Sequence, residues 1–211
     1  MTLPLDPALD TADQLFAGLR ATLQAERASA GRAGLTLREV PAPRLLAPYA
    51  VAVGAEVLRG EHELAHGRLV VLHDPEGQDG WHGQTRVVAF VSAEIDPEMA
   101  QDTELPEVAW QWVTESLGTR RAAYRAAGGT VTRTVSRRVG ELRSVAPTGA
   151  DPTGADPTGP LETSAVEVRA SWTAIADPAG RLDLGAHLQA WCDLLAATAG
   201  LPPPGVAGLA R

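Results

Sequence analysis

His73-Asp74 and Trp81-His82 flank one short segment, Asp74-Pro75-Glu76-Gly77-Gln78-Asp79-Gly80, that is dense in turn formers. If it closes a hairpin, His73 and His82 come close together, with Asp74 and Asp79 at the rim. Two imidazoles and a carboxylate can hold a catalytic metal, and a His beside an Asp can act as an oriented general base. The opposing reading is a pair of polar residues where strands meet a solvated turn, and no ligand pair there has helical i, i+4 spacing. His62 and His66 are four apart but adjoin an expected hairpin turn at Arg59-Gly60-Glu61 rather than sharing a helix. His187 and the single cysteine, Cys192, adjoin the apolar stripe of the last helix and read as core residues. A nucleophile elbow, a P-loop and a dinucleotide fingerprint are all absent from the sequence. Glu94, Asp96 and Glu98 read as a solvated connection rather than a hydrolase pair. An enzyme reading rests on His73, Asp74 and His82 alone and calls for no cofactor, so the balance leans away from catalysis.

Charge is the next source of chemistry. The formal total is -8, which excludes a chain that is basic overall and binds polyanions through bulk charge. All 18 bases are Arg, so lysine chemistry of any kind is also excluded. The total conceals a segregation. Residues 74–115 hold ten acids against Arg86 alone, and residues 119–143 hold seven Arg against Glu141 alone. Acids near a helix start and Arg near its end suit the macrodipole, which accounts for part of the pattern. The rest is a candidate docking surface of Arg120, Arg121, Arg125, Arg133, Arg137 and Arg138. Guanidinium pairs bidentately with carboxylates as readily as with phosphates. The expected partner is an acidic protein or a second copy of the chain. Nucleic acid is disfavoured because Tyr124 is the sole aromatic among these bases. Trp112 falls off the main apolar stripe of its helix, so it is either a second buried contact or a partner contact.

These residues need elements to position them. Phe16, Leu19 and Leu23 recur at helical spacing, and Gly31 and Gly34 close that helix. Tyr49, Val51, Val53, Ala55 and Val57 alternate as one face of a strand. Arg68–His73 reads as the second strand, and Val87, Ala89, Val91, Ala93 and Ile95 mark the third. The period then becomes helical from Pro106 to about Ala127, with Trp110, Val113, Leu117 and Tyr124 on one face and Gly128-Gly129 as the stop. Thr130–Gly140 reads as a fourth strand with Val131, Val135 and Val139 on one face. Val166, Val168, Ala170, Trp172 and Ala174 form the fifth and cleanest. Asp183 caps a last helix with the stripe Leu184, Leu188, Trp191 and Leu195, ended by Gly200.

The expectation is one α+β domain over residues 1–211, of order α-β-β-β-α-β-β-α. It is a two-layer sandwich with helices on one face of a mostly antiparallel five-stranded sheet. Residues 144–160 carry a repeated Ala-Asp-Pro-Thr-Gly unit, read as a disordered low-complexity insertion, and residues 201–211 as a flexible tail. The longest aliphatic stretch, Leu69–Leu72, is too short to cross a bilayer, and the N-terminal residues lack the basic region of a signal peptide. With one cysteine, this points to a cytoplasmic protein with no membrane partner.

The element order resembles the secretion-chaperone-like fold, a sandwich often found as a dimer. Residue strings carry a second resemblance: APYAVAVGAEV (47–57), GRLVVLHDPEGQDGWHG (67–83), AEIDPEMAQDTELPEVAWQWVTESL (93–117), VRASWT (168–173) and HLQAWCDLLAATAGLPPPGV (187–206). They resemble the actinobacterial domain-of-unknown-function family serially numbered three thousand. That resemblance implies a cytoplasmic bacterial protein and no particular activity. The functional expectation is a protein-binding or self-associating module, chaperone-like or an adaptor.

Overall fold

The computed structural model describes residues 7–28, 34–140, 162–178 and 180–201. Both the repeat at 144–160 and the tail from 202 onward lie outside the described residues. Helix α1 (Pro7–Ala28) is followed by strands β1 (Leu35–Val40), β2 (Tyr49–Arg59), β3 (His62–Gln78) and β4 (Gly83–Ile95), with a single 3-10 turn at Asp79–Trp81. Helices α2 (Pro97–Gln101) and α3 (Leu105–Thr119), strands β5 (Tyr124–Arg137) and β6 (Glu162–Ala174), and helix α4 (Leu184–Thr198) complete the chain. All strand pairs are antiparallel, in the spatial order β1-β2-β3-β4-β6-β5.

The α+β sandwich expected from the pattern is present, with six strands rather than five. The added strand, β1, is a six-residue edge strand that pairs only with β2. Its Leu-Thr-Leu alternation is too short to stand out before Pro41. The short α2 is also additional, in what reads from sequence as an irregular acidic connection. The helix expected over 106–127 stops at Thr119, because Arg121 adopts left-handed φ 53 and the chain turns into β5. Tyr124, Gly128 and Gly129 are therefore strand residues. Gly129 is required there by proximity: a Cβ at that position would sit 2.3 Å from the Arg169 carbonyl oxygen. Val131 and Val135 share the helix-facing register of β5, but Val135 and Val139, the latter past the end of the strand, are 52% and 67% exposed. The hairpin at 74–82 is tighter than expected, since β3 continues to Gln78.

One face of the sheet carries the core. Val51, Val53, Ala55 and Val57 of β2, Leu69 and Val71 of β3, Val87 to Ile95 in alternation on β4, and Val166 to Ala174 on β6 are buried. Period-2 alternation sends every second side chain to this face, so one continuous apolar surface results. Helix α4 lies on it against β3, β4 and β6, with α1 and α3 packed on its flanks. Twelve of the fifteen α4 residues are buried. This corrects the expected single stripe: a helix enclosed by a sheet and two other helices must be apolar nearly all round.

Two close approaches seat α4. Gly67 faces Trp191, and a Cβ at Gly67 would lie 2.7 Å from the Phe90 carbonyl oxygen and 3.0 Å from the indole Cζ2. The Trp191 indole N–H donates to that same carbonyl at 3.3 Å. On the outer side a Cβ at Gly185 would lie 2.3 Å from Thr22 Oγ1 of α1. The helix closes with Gly200 at φ 67, as the pattern predicts. The Leu201 N–H bonds the Ala196 carbonyl and the Gly200 N–H bonds that of Ala197.

His187 is the largest of the buried polar side chains in this core. Trp172 Nε1–H of β6 donates to His187 Nδ1 at 3.0 Å. The ring, 1% exposed, therefore carries its proton on Nε2 and makes a hydrogen bond to the Ala123 backbone. Burial pushes its pKa down to about 4, against the smaller opposing pulls of Asp183 and the Ala123 backbone. Among the described residues no helix is long and apolar enough to cross a membrane.

Gly67→Ala forces a methyl group between backbone and indole and is expected to cost about 2–3 kcal/mol, read as a lower urea midpoint with an unchanged slope. The His187 ring stays neutral in the folded state while the unfolded ring protonates near pH 6.5. Its contribution is complete above that pH and is lost as pH falls toward about 4, to a total of about 3 kcal/mol. Denaturation of the native chain and of His187→Gln across this range should show a steeper acid loss in the native chain. Parallel curves would refute the assignment.

Candidate functional site

The turn at 74–82 does not assemble the residues that mark it in the sequence. His73 pairs with Thr85 across β3 and β4, and its Nδ1 is 2.8 Å from Thr85 Oγ1. Its ring stands 6.1 Å from that of Tyr49. Burial lowers the His73 pKa, against the smaller pull of Asp74. Asp74 accepts from the Glu76 N–H at 3.1 Å and from Gln78 Nε2 at 3.2 Å, so its carboxylate folds the hairpin tip. His82 closes the 3-10 turn at left-handed φ 58 and is exposed. His62 and His66 instead face Glu94 and Glu63. Among the described residues no group of three or more His, Cys, Asp or Glu side chains is placed to hold a metal ion. Cys192 is buried within α4.

The Arg-rich segment is dispersed in the same way. Arg120 is bidentate on Asp193 of α4, at 2.5 and 2.9 Å, and that bond raises its pKa despite partial burial. Arg121 turns the chain. Arg133 lies in the helix-facing register and donates to the carbonyls of Asp102 at 2.5 Å and Ala100 at 3.4 Å. It therefore reaches the backbone of the acidic block rather than its carboxylates. Arg125 pairs with Thr173 in the register of the other face, and Arg137 is exposed near the end of β5. Arg138 follows the strand and is half-buried. These six guanidiniums are spread over both sides of the sheet and do not form a single patch.

Two other surfaces are better organised. The first is the sheet face away from the helices. Register places Arg38, Gly54, Arg68, Phe90, Arg169 and Thr130 in one row across all six strands. The neighbouring row is Thr36, Glu56, His66, Ser92, Glu167 and Thr132. A row rich in Arg thus runs beside a row with two carboxylates. Arg38 reaches Glu56 at 2.6 Å and Arg169 reaches Glu167 at 3.0 Å. The Arg169 guanidinium stands 5.4 Å over the Phe90 ring, and the His66 ring is 5.9 Å from it. On the far side of the Arg row, Val70 is half-buried and Val88 is 38% exposed. At the β1 side the segment 41–47 crosses toward this face, tied by Arg68 Nη2 to the Pro41 carbonyl at 2.5 Å and by Gln78 to that of Leu46 at 3.0 Å.

The second surface is a cavity of about 670 Å³ where the sheet projects past the end of α4. It is lined by the β2–β3 hairpin, the end of β4, the start of β6, Trp112 of α3 and residues 197–200. Trp112 is half-buried and packs against the core on its other side. The off-stripe position of Trp112 is the sequence signal for this cavity. The remaining lining comes from four segments distant in sequence, which no local pattern connects.

Residues 15–207 match the model of a family described as a protein of unknown function, DUF3000. No curated protein and no solved structure gives a significant match to the chain.

Proposed function

We propose that this chain, which belongs to the DUF3000 family of proteins of unknown function, is a self-associating binding module that pairs through the helix-free face of its sheet. The observation that carries the reading is the arrangement of charge on that face. A two-fold axis lying between the Arg row and the Glu row, parallel to both, brings each row of one copy over the opposite row of the other. Arg169 then faces Glu167 of the second copy, Glu56 lies over Gly54 between the flanking Arg38 and Arg68, and the same contacts recur by symmetry. A face that is complementary to itself needs no other partner chemistry. Val88 and the Phe90 ring supply apolar area beside those rows, and charge complementarity sets orientation more than affinity.

The dimensions support this. Six strands at a spacing of about 4.8 Å and a ladder about 30 Å long give a face of about 700 Å². Part of that face, at Ala52, Leu72 and Thr173, is already covered, so the area on offer falls below the roughly 800 Å² per partner of a standard interface and toward the range of weaker, reversible ones. Sheets packed face to face in this way lie about 10 Å apart, within reach of half-exposed Val and Phe side chains.

Sedimentation equilibrium from about 1 to 100 μM spans the Kd range where such an interface is populated. A dimer is expected, and Val88→Asp should weaken it at least about tenfold while leaving the melting curve of the dilute monomer unchanged. Glu167→Arg should weaken it, and Arg169→Glu in the same chain should restore part of the loss. A mass that stays monomeric over the whole range would refute the reading. So would a dimer indifferent to both Val88→Asp and Glu167→Arg.

A further inference from the structure

The cavity at the end of the sheet has its own chemistry. Glu94 and Asp96 at the end of β4 and Glu162 at the start of β6 line it, against Arg59 as the one guanidinium among the described lining residues. Arg59, Glu94 and Asp96 are all exposed, so solvent screens them alike, and the carboxylates outnumber the guanidinium three to one. His62 Nε2 lies 3.1 Å from Glu94 Oε2. Asp96 stands at the N-cap position of α2, yet its carboxylate makes no capping bond. Residues 197–200, at the C-terminal end of α4, form another wall, so the negative end of a fifteen-residue helix adds to the same sign of potential. Trp112 contributes an indole to the lining, and aromatic faces attract cations. Leu64, Ile95 and Met99 add apolar wall.

An independent observation sits on the sheet side. Ser164 is 3% exposed, and its hydroxyl oxygen has no hydrogen-bond partner among the described residues. It belongs to the helix-facing set of β6, opposite Ile95 in register, and it lines this cavity. Buried hydroxyls are almost always bonded, and leaving one unmade destabilises the fold. A donor group entering the cavity would supply the missing partner.

We propose that this cavity binds a small organic cation, an ammonium or guanidinium group carried on an apolar body. The carboxylates and the helix end select the positive charge, Trp112 and the aliphatic residues take the body, and the Ser164 hydroxyl accepts an N–H. The volume lies within the usual range for small-molecule sites. The site lies beyond the charged rows proposed for self-association, shares with that face only the outward register of Glu94, and does not depend on the pairing.

The test is titration of the full chain with three probes of one shape: phenethylamine, its neutral N-acetyl derivative, and the anion 3-phenylpropionate. Binding is read by calorimetry and by the indole N–H resonance that Trp112→Phe removes. Phenethylamine alone is expected to bind, and Glu162→Gln should weaken it at least about fivefold, with a further loss at high salt. Ser164→Ala should raise the melting temperature of the unliganded chain and weaken the amine. This opposite pair of effects is one that simple damage to the fold would not give. The proposal is overturned if the neutral amide or the anion binds as well as the amine. It is also overturned if the amine leaves the Trp112 resonance unmoved up to about 10 mM, or if Ser164→Ala lowers stability without changing affinity.

Discussion

The structure depends on how closely α4 can approach the sheet. A helix with twelve of fifteen residues buried has almost no polar face to offer water, so it is stable only when covered on nearly every side. Gly67 supplies the missing volume beneath Trp191, and Gly185 does the same against Thr22 of α1. With α4 seated that deeply, α1 and α3 can lie on its flanks and still reach the edges of the sheet. The polar contacts of α4 follow from this depth. Trp172 finds His187, and Arg120 at the end of α3 finds Asp193. Each is a buried or half-buried group satisfied by the element next to it.

Gathering all the helices on one side has consequences for the rest of the molecule. The other face of the sheet is left to strand side chains, with segment 41–47 and the turn at Trp81 over part of it, and in an antiparallel sheet such a face can meet water. Here that face bears adjacent rows of arginine and glutamate with Val88 and Phe90 among or beside them, which is more than a solvated surface requires. The stop at Gly200 has a second consequence. The helix layer ends before the strands do, and the cavity bounded by Trp112, Ser164 and the Glu94–Asp96 segment occupies the difference. Both candidate surfaces are thus by-products of where one helix lies and where it ends.

The histidines and arginines that stand out in the sequence show why residue type and spacing are weak guides to a site. His73 and His82 sit on opposite sides of a turn, but strand register assigns His73 to Thr85 and leaves His82 at the exposed tip. The arginines of residues 120–138 are close in sequence. A chain that passes from helix to left-handed turn to strand sends successive side chains in different directions. The arginines that do line up, Arg38, Arg68 and Arg169, come from β1, β3 and β6 and are aligned by cross-strand register.

The amino-acid pattern by itself determined the α+β class, five of the six strands, the inward residues of β2, β4 and β6, and the first and last helices. It also determined Gly200 as the end of α4. Hydrophobic period and capping residues are local quantities, and those elements express them directly. Membership of the family was legible too, in strings of sequence that fold into the core and its turns. Only the tertiary structure decided the rest: the edge strand β1, the break after Thr119, the enclosure of α4, the charged rows and the cavity. Each of these is set by which segments become neighbours. Pairing register and helix seating are non-local, fixed by packing volumes such as the space left by Gly67, and a one-dimensional pattern does not contain them.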